Sequence, residues 1–181
     1  MIEIVTFGGK FKQLEKNVDG SKISIIDIDA RGQGEEQGQG QDPFQIWLSH
    51  IISKYDSLAD YTLFLTDDPI QFTKFKDAEQ LLSVLKVEPS LFCDKTQWCN
   101  VLKCNENGTP HHPGLPLKQW FTKLFPSMSP PLVYEFVQGG HVLMSKRKIM
   151  SHPLVFYQYL LKTLTEGDLS RYILERLWGY L

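Results

Sequence analysis

With 181 residues the chain is long enough for one domain with a real core and too short for two comfortable ones. Hydrophobic residues at 42% and charged residues at 22% exclude a disordered chain, and a net charge of -2 with an isoelectric point near 6.2 argues against a nucleic-acid partner. No apolar stretch approaches the ~20 residues needed to span a bilayer, the start lacks a basic leader segment, and an odd set of three cysteines, Cys93, Cys99 and Cys104, points to a reducing, cytoplasmic setting.

Residues Glu3 to Phe7 are β-rich and end at Gly8-Gly9, which predicts a first strand and a glycine turn. Lys10 to Val18 fits a short helix, and Lys22 to Ile28 is a second strand, nearly continuous in apolar residues. Strand, helix and strand in this order suggest a βαβ unit. Gly32 to Gln41 holds no apolar residue and predicts a flexible loop, either a tolerated surface insertion or a flap near a ligand.

Asp42 and Pro43 open the clearest helix, because Asp caps the first free N–H groups and Pro is pre-set for the first turn. Phe44, Trp47, Leu48, Ile51, Ile52 and Tyr55 form its apolar stripe, and His50 falls at the edge of that stripe. Tyr61 to Leu65 is a third buried strand. Asp77 to Val87 is helical, Glu88 to Pro116 irregular, and Leu117 to Phe125 helical again. Leu132 to Val137 reads as a fourth strand, broken by Gln138-Gly139-Gly140, with His141 to Met144 resuming a strand and Ser145 to Met150 a short helix. Pro153 starts a strong helix, and a last one runs from about Ser170. Its apolar stripe continues to Leu181, which suggests part of a longer multi-domain chain. The fold class is therefore α/β: a single domain over residues 1–181 with a mostly parallel sheet flanked by helices.

The most informative chemistry follows the third strand, in Thr66-Asp67-Asp68-Pro69. Open α/β sheets bind ligands at the carboxyl ends of their strands. Adjacent carboxylates are hard oxygen ligands for Mg²⁺ or Mn²⁺, and such an ion bridges to a diphosphate. The same four residues also suit a plain turn and helix start.

Three segments resemble a family of glycosyltransferase-like proteins across most of the chain. Trp47 to Leu65 (WLSHIISKYDSLADYTLFL) is similar to the family block YLxxIIxxYDxLPDxTxFLQGxP. Gly139 to Pro153, followed by Phe156-Tyr157 and Leu160-Leu161, is similar to GxQFxVSRxxIxxRPxxFYxxLL, and Leu174 to Leu181 (LERLWGYL) to LERLWxYxF. Two departures stand out. Gly40-Gln41-Asp42-Pro43 replaces an Asn-x-Gly-Arg-Glu element, and Thr66-Asp67 replaces Gln-Gly.

The resemblance implies a GT-A-like, nucleotide-sugar-binding fold; with the acidic pair after the third strand, the chain reads as a metal-assisted glycosyltransferase. Its donor would be a UDP- or GDP-linked sugar, and its acceptor a glycan or other hydroxyl. Asp67 and Asp68 would hold Mn²⁺ or Mg²⁺, while Thr6, Phe7, Gly8, Asp27 and Asp29 at the strand ends would cradle the nucleotide and Arg147 would pair with the diphosphate. Glu175 or Glu135 would deprotonate the acceptor hydroxyl. Each carboxylate has a plainer role open to it: Glu175 as a tie between the last helix and the sheet, Glu135 as part of a polar strand face.

Two other functions stay open. One is a catalytically inactive carbohydrate- or protein-binding module on the same fold, motivated by the missing Arg-Glu element. The other is a nucleotidyltransferase or pyrophosphorylase, of whose Gly-rich basic loop Gly8-Gly9-Lys10 is only a partial echo. A zinc site from the three cysteines and His111-His112 misses the usual short-loop spacing.

Overall fold

The computed structural model describes residues 1–7, 23–28, 42–66, 70–94 and 98–181; of Phe7, Ile23, Asp27 and Ile28 it describes the backbone. The predicted helix at Lys10 to Val18, the loop at Gly32 to Gln41, and Gly8, Asp29, Asp67 and Asp68 lie outside the described residues.

Four strands form the main sheet: β1 (Ile2–Phe7), β2 (Ile23–Ile28), β3 (Tyr61–Phe64) and β6 (Val142–Ser145), in the order β2-β1-β3-β6. β1 pairs parallel with both β2 and β3, and β6 closes the other side of β3 antiparallel. Side chains alternate across a strand, so β1 sends Ile2 and Ile4 into one core and Val5 into another. Leu63 and Phe64 of β3 divide in the same way. This is the physical reason these strands read as almost unbroken apolar runs: both faces are covered.

Helix α2 (Ala78–Val87) covers the Ile4–Leu63–Leu143 face with Leu81, Leu82 and Leu85. Asp77 caps it by accepting from the Gln80 N–H. The opposite face belongs to α1 (Pro43–Lys54) and α5 (Leu154–Thr165), with α6 (Arg171–Leu177) beside them. Asp42 caps α1 through the Phe44 N–H at 2.9 Å, as the Asp-Pro start predicts. Phe44, Trp47, Phe64 and Trp178 meet at its centre, with ring centroids 5.0 to 5.8 Å apart. An aromatic side chain buries about 150–250 Å², roughly 4–6 kcal/mol each at about 25 cal/mol per Å², before any ordering cost.

Two elements differ from the sequence expectation. The Glu88 to Pro116 stretch contains a strand, β4 (Val101–Cys104), which pairs antiparallel with β5 (Tyr134–Val137) in a second, two-stranded sheet. The strand expected at Leu132 to Val137 therefore sits outside the main sheet, and the fourth main-sheet strand is β6. His50 is not an edge residue. It is buried, with Nε2 2.7 Å from the Glu3 carboxylate on β1, because α1 lies close enough to the sheet to enclose it. Helix α3 (Leu117–Leu124) and the short α4 (Lys146–Ile149) complete the fold. No helix of the described residues is long and apolar enough to cross a membrane.

Candidate functional site

The strand order marks one edge of the sheet as the candidate site. From β1 the chain goes to β2 on one side and then to β3 on the other. Such a reversal opens a crevice at the carboxyl ends of the two diverging strands. Here those ends are Thr6-Phe7 of β1 and Leu65-Thr66 after β3, with the Asp27 backbone opposite Thr6. Thr66 runs directly into Asp67 and Asp68, and β1 into Gly8.

The described edge is polar and tied together. The Thr6 hydroxyl is buried and donates to the Thr66 carbonyl oxygen at 3.4 Å. The Thr66 N–H donates to His141 Nε2 at 3.2 Å, and the Thr66 hydroxyl lies 2.7 Å from the same nitrogen. His141 is fully buried and immediately precedes β6. β6 runs antiparallel, so Val142 pairs with Phe64 and His141 is delivered to the carboxyl edge.

A turn at Gln138–Gly140 delivers His141 from β5. Gly139 and Gly140 have φ of 79° and 73°, the left-handed region that favours glycine. Its outer anchor is Glu175 of α6, whose Oε1 accepts from the Gly139 N–H at 2.7 Å. The other Glu175 oxygen pairs with the guanidinium of Arg176, a side chain 1% exposed. Arg176 also donates to the Tyr172 carbonyl at 3.1 Å and to His112 Nδ1 at 2.8 Å, and lies 4.2 Å above the Phe136 ring. A cavity of about 20 Å³ beside the turn is lined by Gly140, His141, Glu175 and Trp178.

The predicted site residues fall in three places. Thr6 is at the edge, and the backbones of Phe7 and Asp27 reach it. Gly8, Asp29, Asp67 and Asp68 lie outside the described residues. Glu175 is one turn removed, engaged at both oxygens. Glu135 is on β5, more than half exposed and paired with Lys103 at 2.7 Å, so it occupies the polar strand face. Arg147 is not brought to this edge. It follows β6, whose Ser145 pairs with Tyr61 at the start of β3, so it stands at the opposite, amino end of the sheet. There it lines a groove of about 470 Å³ with Asp60, Asp94 and Lys146.

Sequence reasoning did not single out His141, His112 or Arg176 as a connected set. The Gly139-Gly140-His141 triplet after a strand was the one local signal. Among the described residues no cluster of three His, Cys, Asp or Glu is placed to hold a metal. Cys93, Cys99 and Cys104 are buried free thiols. A further groove, of about 730 Å³, runs between α1 and α5 and includes none of the strand-end residues.

Fold and edge thus define an α/β protein with a mostly parallel sheet whose strand order reverses between β1 and β3, where the carboxyl edge carries buried polar groups. The chain belongs to the family described as protein of unknown function DUF3431, whose model matches residues 30–181. No curated protein and no solved structure matches the chain.

Proposed function

We propose that this chain is a glycosyltransferase whose UDP- or GDP-linked donor sits at the carboxyl edge between β1 and β3. The observation that supports this is the reversal in strand order, since open α/β sheets bind ligands at such a point and Thr66 leads there into Asp67-Asp68 in the sequence. The GT-A-like fold is our interpretation of the parallel strands with β6 added antiparallel. The donor chemistry fits a hard divalent ion, since two carboxylates follow a residue fixed by His141. Asp67 and Asp68 would hold Mn²⁺ or Mg²⁺, which supplies charge stabilisation to a departing nucleoside diphosphate. Thr6 and the Phe7 and Asp27 backbones would shape the floor beneath the nucleotide.

One observation favours a second class of function. Both candidate bases are engaged, Glu175 with Gly139 and Arg176, Glu135 with Lys103. A binding module on the same fold needs neither.

Thermal unfolding against UDP- and GDP-sugars, with and without Mn²⁺, separates the two. A ligand at a hundredfold excess over its dissociation constant stabilises by about 2.7 kcal/mol, which at roughly 2–4 °C per kcal/mol for a chain of this size raises the midpoint by roughly 5–11 °C. The expected result is a Mn²⁺-dependent shift with one donor class, lost in Asp67→Ala and in Asp68→Ala, and nucleoside diphosphate release with a hydroxyl acceptor. A shift without release supports the binding module. No shift with any donor refutes the transferase and leaves the carbohydrate- or protein-binding module.

A further inference from the structure

Glu175 is better placed to hold a backbone than to take a proton. One oxygen receives the Gly139 N–H and the other faces Arg176. Arg176 in turn reaches His112 on the loop between β4 and α3. On the inner side, Gly139 and Gly140 lead within two residues to His141, whose Nε2 is bonded to Thr66 at the carboxyl edge. The chain of contacts is unbroken from His112 to the residue before Asp67.

We infer that Glu175 is a positioning residue, and that with Arg176 and His112 it forms a proton-sensitive latch on the Gly139–Gly140 turn. That this edge receives a donor rests on the function proposed above; the latch itself does not.

The proton sensitivity follows from hydrogen-bond direction. A guanidinium only donates and stays charged at all relevant pH. The His112 nitrogen facing it must therefore carry a lone pair, so this contact exists only with a neutral ring. Protonation would place an imidazolium 2.8 Å from a buried cation, and the ring must then leave. Histidine is the side chain whose charge ordinarily changes between about pH 5 and 8.

The groups around His112 set the balance. On α6, Tyr172 stacks on the ring at 3.9 Å, Arg171 lies over Tyr172, and Glu175 and Arg176 complete that side. On β4, the buried Cys104 thiol lies beside Arg176. On its own loop, His111 turns its ring to Phe136, and Glu106 pairs with Lys118. At the start of α1, Asp42 faces Arg171. The only anion close to Arg176 is Glu175 among these groups. When His112 withdraws, the guanidinium is left to Glu175 and the Tyr172 carbonyl, and its pull on the carboxylate that holds Gly139 changes. The cavity beside the turn provides room for a small shift.

The test uses the ¹⁵N-labelled full chain without ligand. The Gly139 amide shift and its exchange rate are followed from pH 5 to 8 together with the His112 ring resonance. The expected result is a shared midpoint, with the protection of Gly139, its exchange rate taken relative to the intrinsic base-catalysed rate at each pH, falling at least tenfold on the acid side. His112→Asn keeps a non-titrating acceptor for Arg176, so the step should vanish while protection persists. Glu175→Gln retains an oxygen acceptor and should keep most of the protection, whereas Glu175→Ala should lose it. His141 also lies near Gly139, so a step that persists in His112→Asn belongs to His141 and overturns the latch. Unchanged exchange in a folded Glu175→Ala overturns it too. No donor takes part, so a failed donor panel and a failed latch are separate results.

Discussion

Gly140 is where the turn meets the aromatic core, and substitution there tests the site's framework directly. A Cβ at Gly140 would lie 2.7 Å from Cζ and 2.9 Å from Cε1 of Phe44, and 3.2 Å from Trp47. Phe44 has little freedom to yield, since its ring packs edge-on against both Trp47 and Trp178. Gly140→Ala therefore carries two costs. A left-handed backbone costs an L side chain about 1–2 kcal/mol, and overpacking adds about 1–3 kcal/mol. Gly167→Ala isolates the first, because Gly167 has φ of 84° and nothing within 4 Å of its would-be Cβ. The stiffening of the unfolded chain by alanine is common to both variants and cancels in the comparison. The expected losses are about 2–5 kcal/mol for Gly140→Ala and about 1–2 kcal/mol for Gly167→Ala, or roughly 4–20 °C against 2–8 °C in the unfolding midpoint. Denaturant and thermal unfolding measure both, and Phe44→Leu added to Gly140→Ala should recover part of the packing cost. Equal losses in the two single variants, or no recovery in the double variant, would refute the close approach of turn and core.

Two further outcomes follow from the same geometry. Burial, with the Asp94 charge adding to it, pushes the Cys93 thiol up to about 11, and burial pushes the Tyr134 hydroxyl up to about 12; Cys99 and Tyr157 are raised still further by burial. The unfolded chain releases these protons first, from about pH 9 for the thiols and 10 for the tyrosines, so stability is full below about pH 9 and falls as pH rises toward 12. The midpoint measured from pH 8 to 10.5 should decline, less steeply in Tyr134→Phe, and a flat profile would contradict the burial. Arg147 stands at the amino end of the sheet, so Arg147→Ala should leave any Mn²⁺-dependent donor binding unchanged. Loss of that binding would mean that the ligand sits at the other edge.

What the sequence reveals here is what local pattern encodes. Asp42-Pro43 announces a cap because the chemistry is complete within three residues, and the stripe from Phe44 to Ile51 announces a buried face because helical spacing repeats it. The strands Ile2–Phe7 and Tyr61–Phe64 stand out because they are short runs rich in β-branched, aromatic and leucine residues. Pairing is different, since it depends on partners far away in sequence. Nothing local distinguishes Tyr134–Val137, which pairs with Val101–Cys104, from a main-sheet strand. Val101–Cys104 is a four-residue segment, hidden among prolines, asparagines and glycines. His50 looked marginal because helical spacing places it one step off the stripe, and Glu3, 47 residues earlier, is what makes its burial tolerable. The same distance effect concealed the site. Glu175 looked like a base or a tie with equal reason until Gly139, 36 residues earlier, proved to be its donor. Arg147 reads in sequence as a diphosphate ligand, and the antiparallel course of β6 places it at the amino end of the sheet, away from Thr6 and Thr66.

The placement of the edge across the family boundary has a structural consequence. The matched region, residues 30–181, contains β3, β6, the Gly139–Gly140 turn, Thr66, His141, Glu175 and Arg176. β1 and β2 precede it, and with them Thr6 and the backbones of Phe7 and Asp27. Yet β1 is the strand on which β3 completes its hydrogen bonds, and Ile4 and Val5 share the two cores with Leu63 and Phe64. An unpaired edge there would expose backbone groups beside buried apolar side chains. The matched region therefore contains Thr66 and the sequence that follows it, but not β1. On the proposed function, a metal at Asp67-Asp68 would need only the matched region, whereas a nucleotide lying across the reversal would need β1 as well. On the function proposed above, metal affinity and donor selectivity would depend on different strands of one sheet, and substitutions at Thr6 should alter the second while sparing the first.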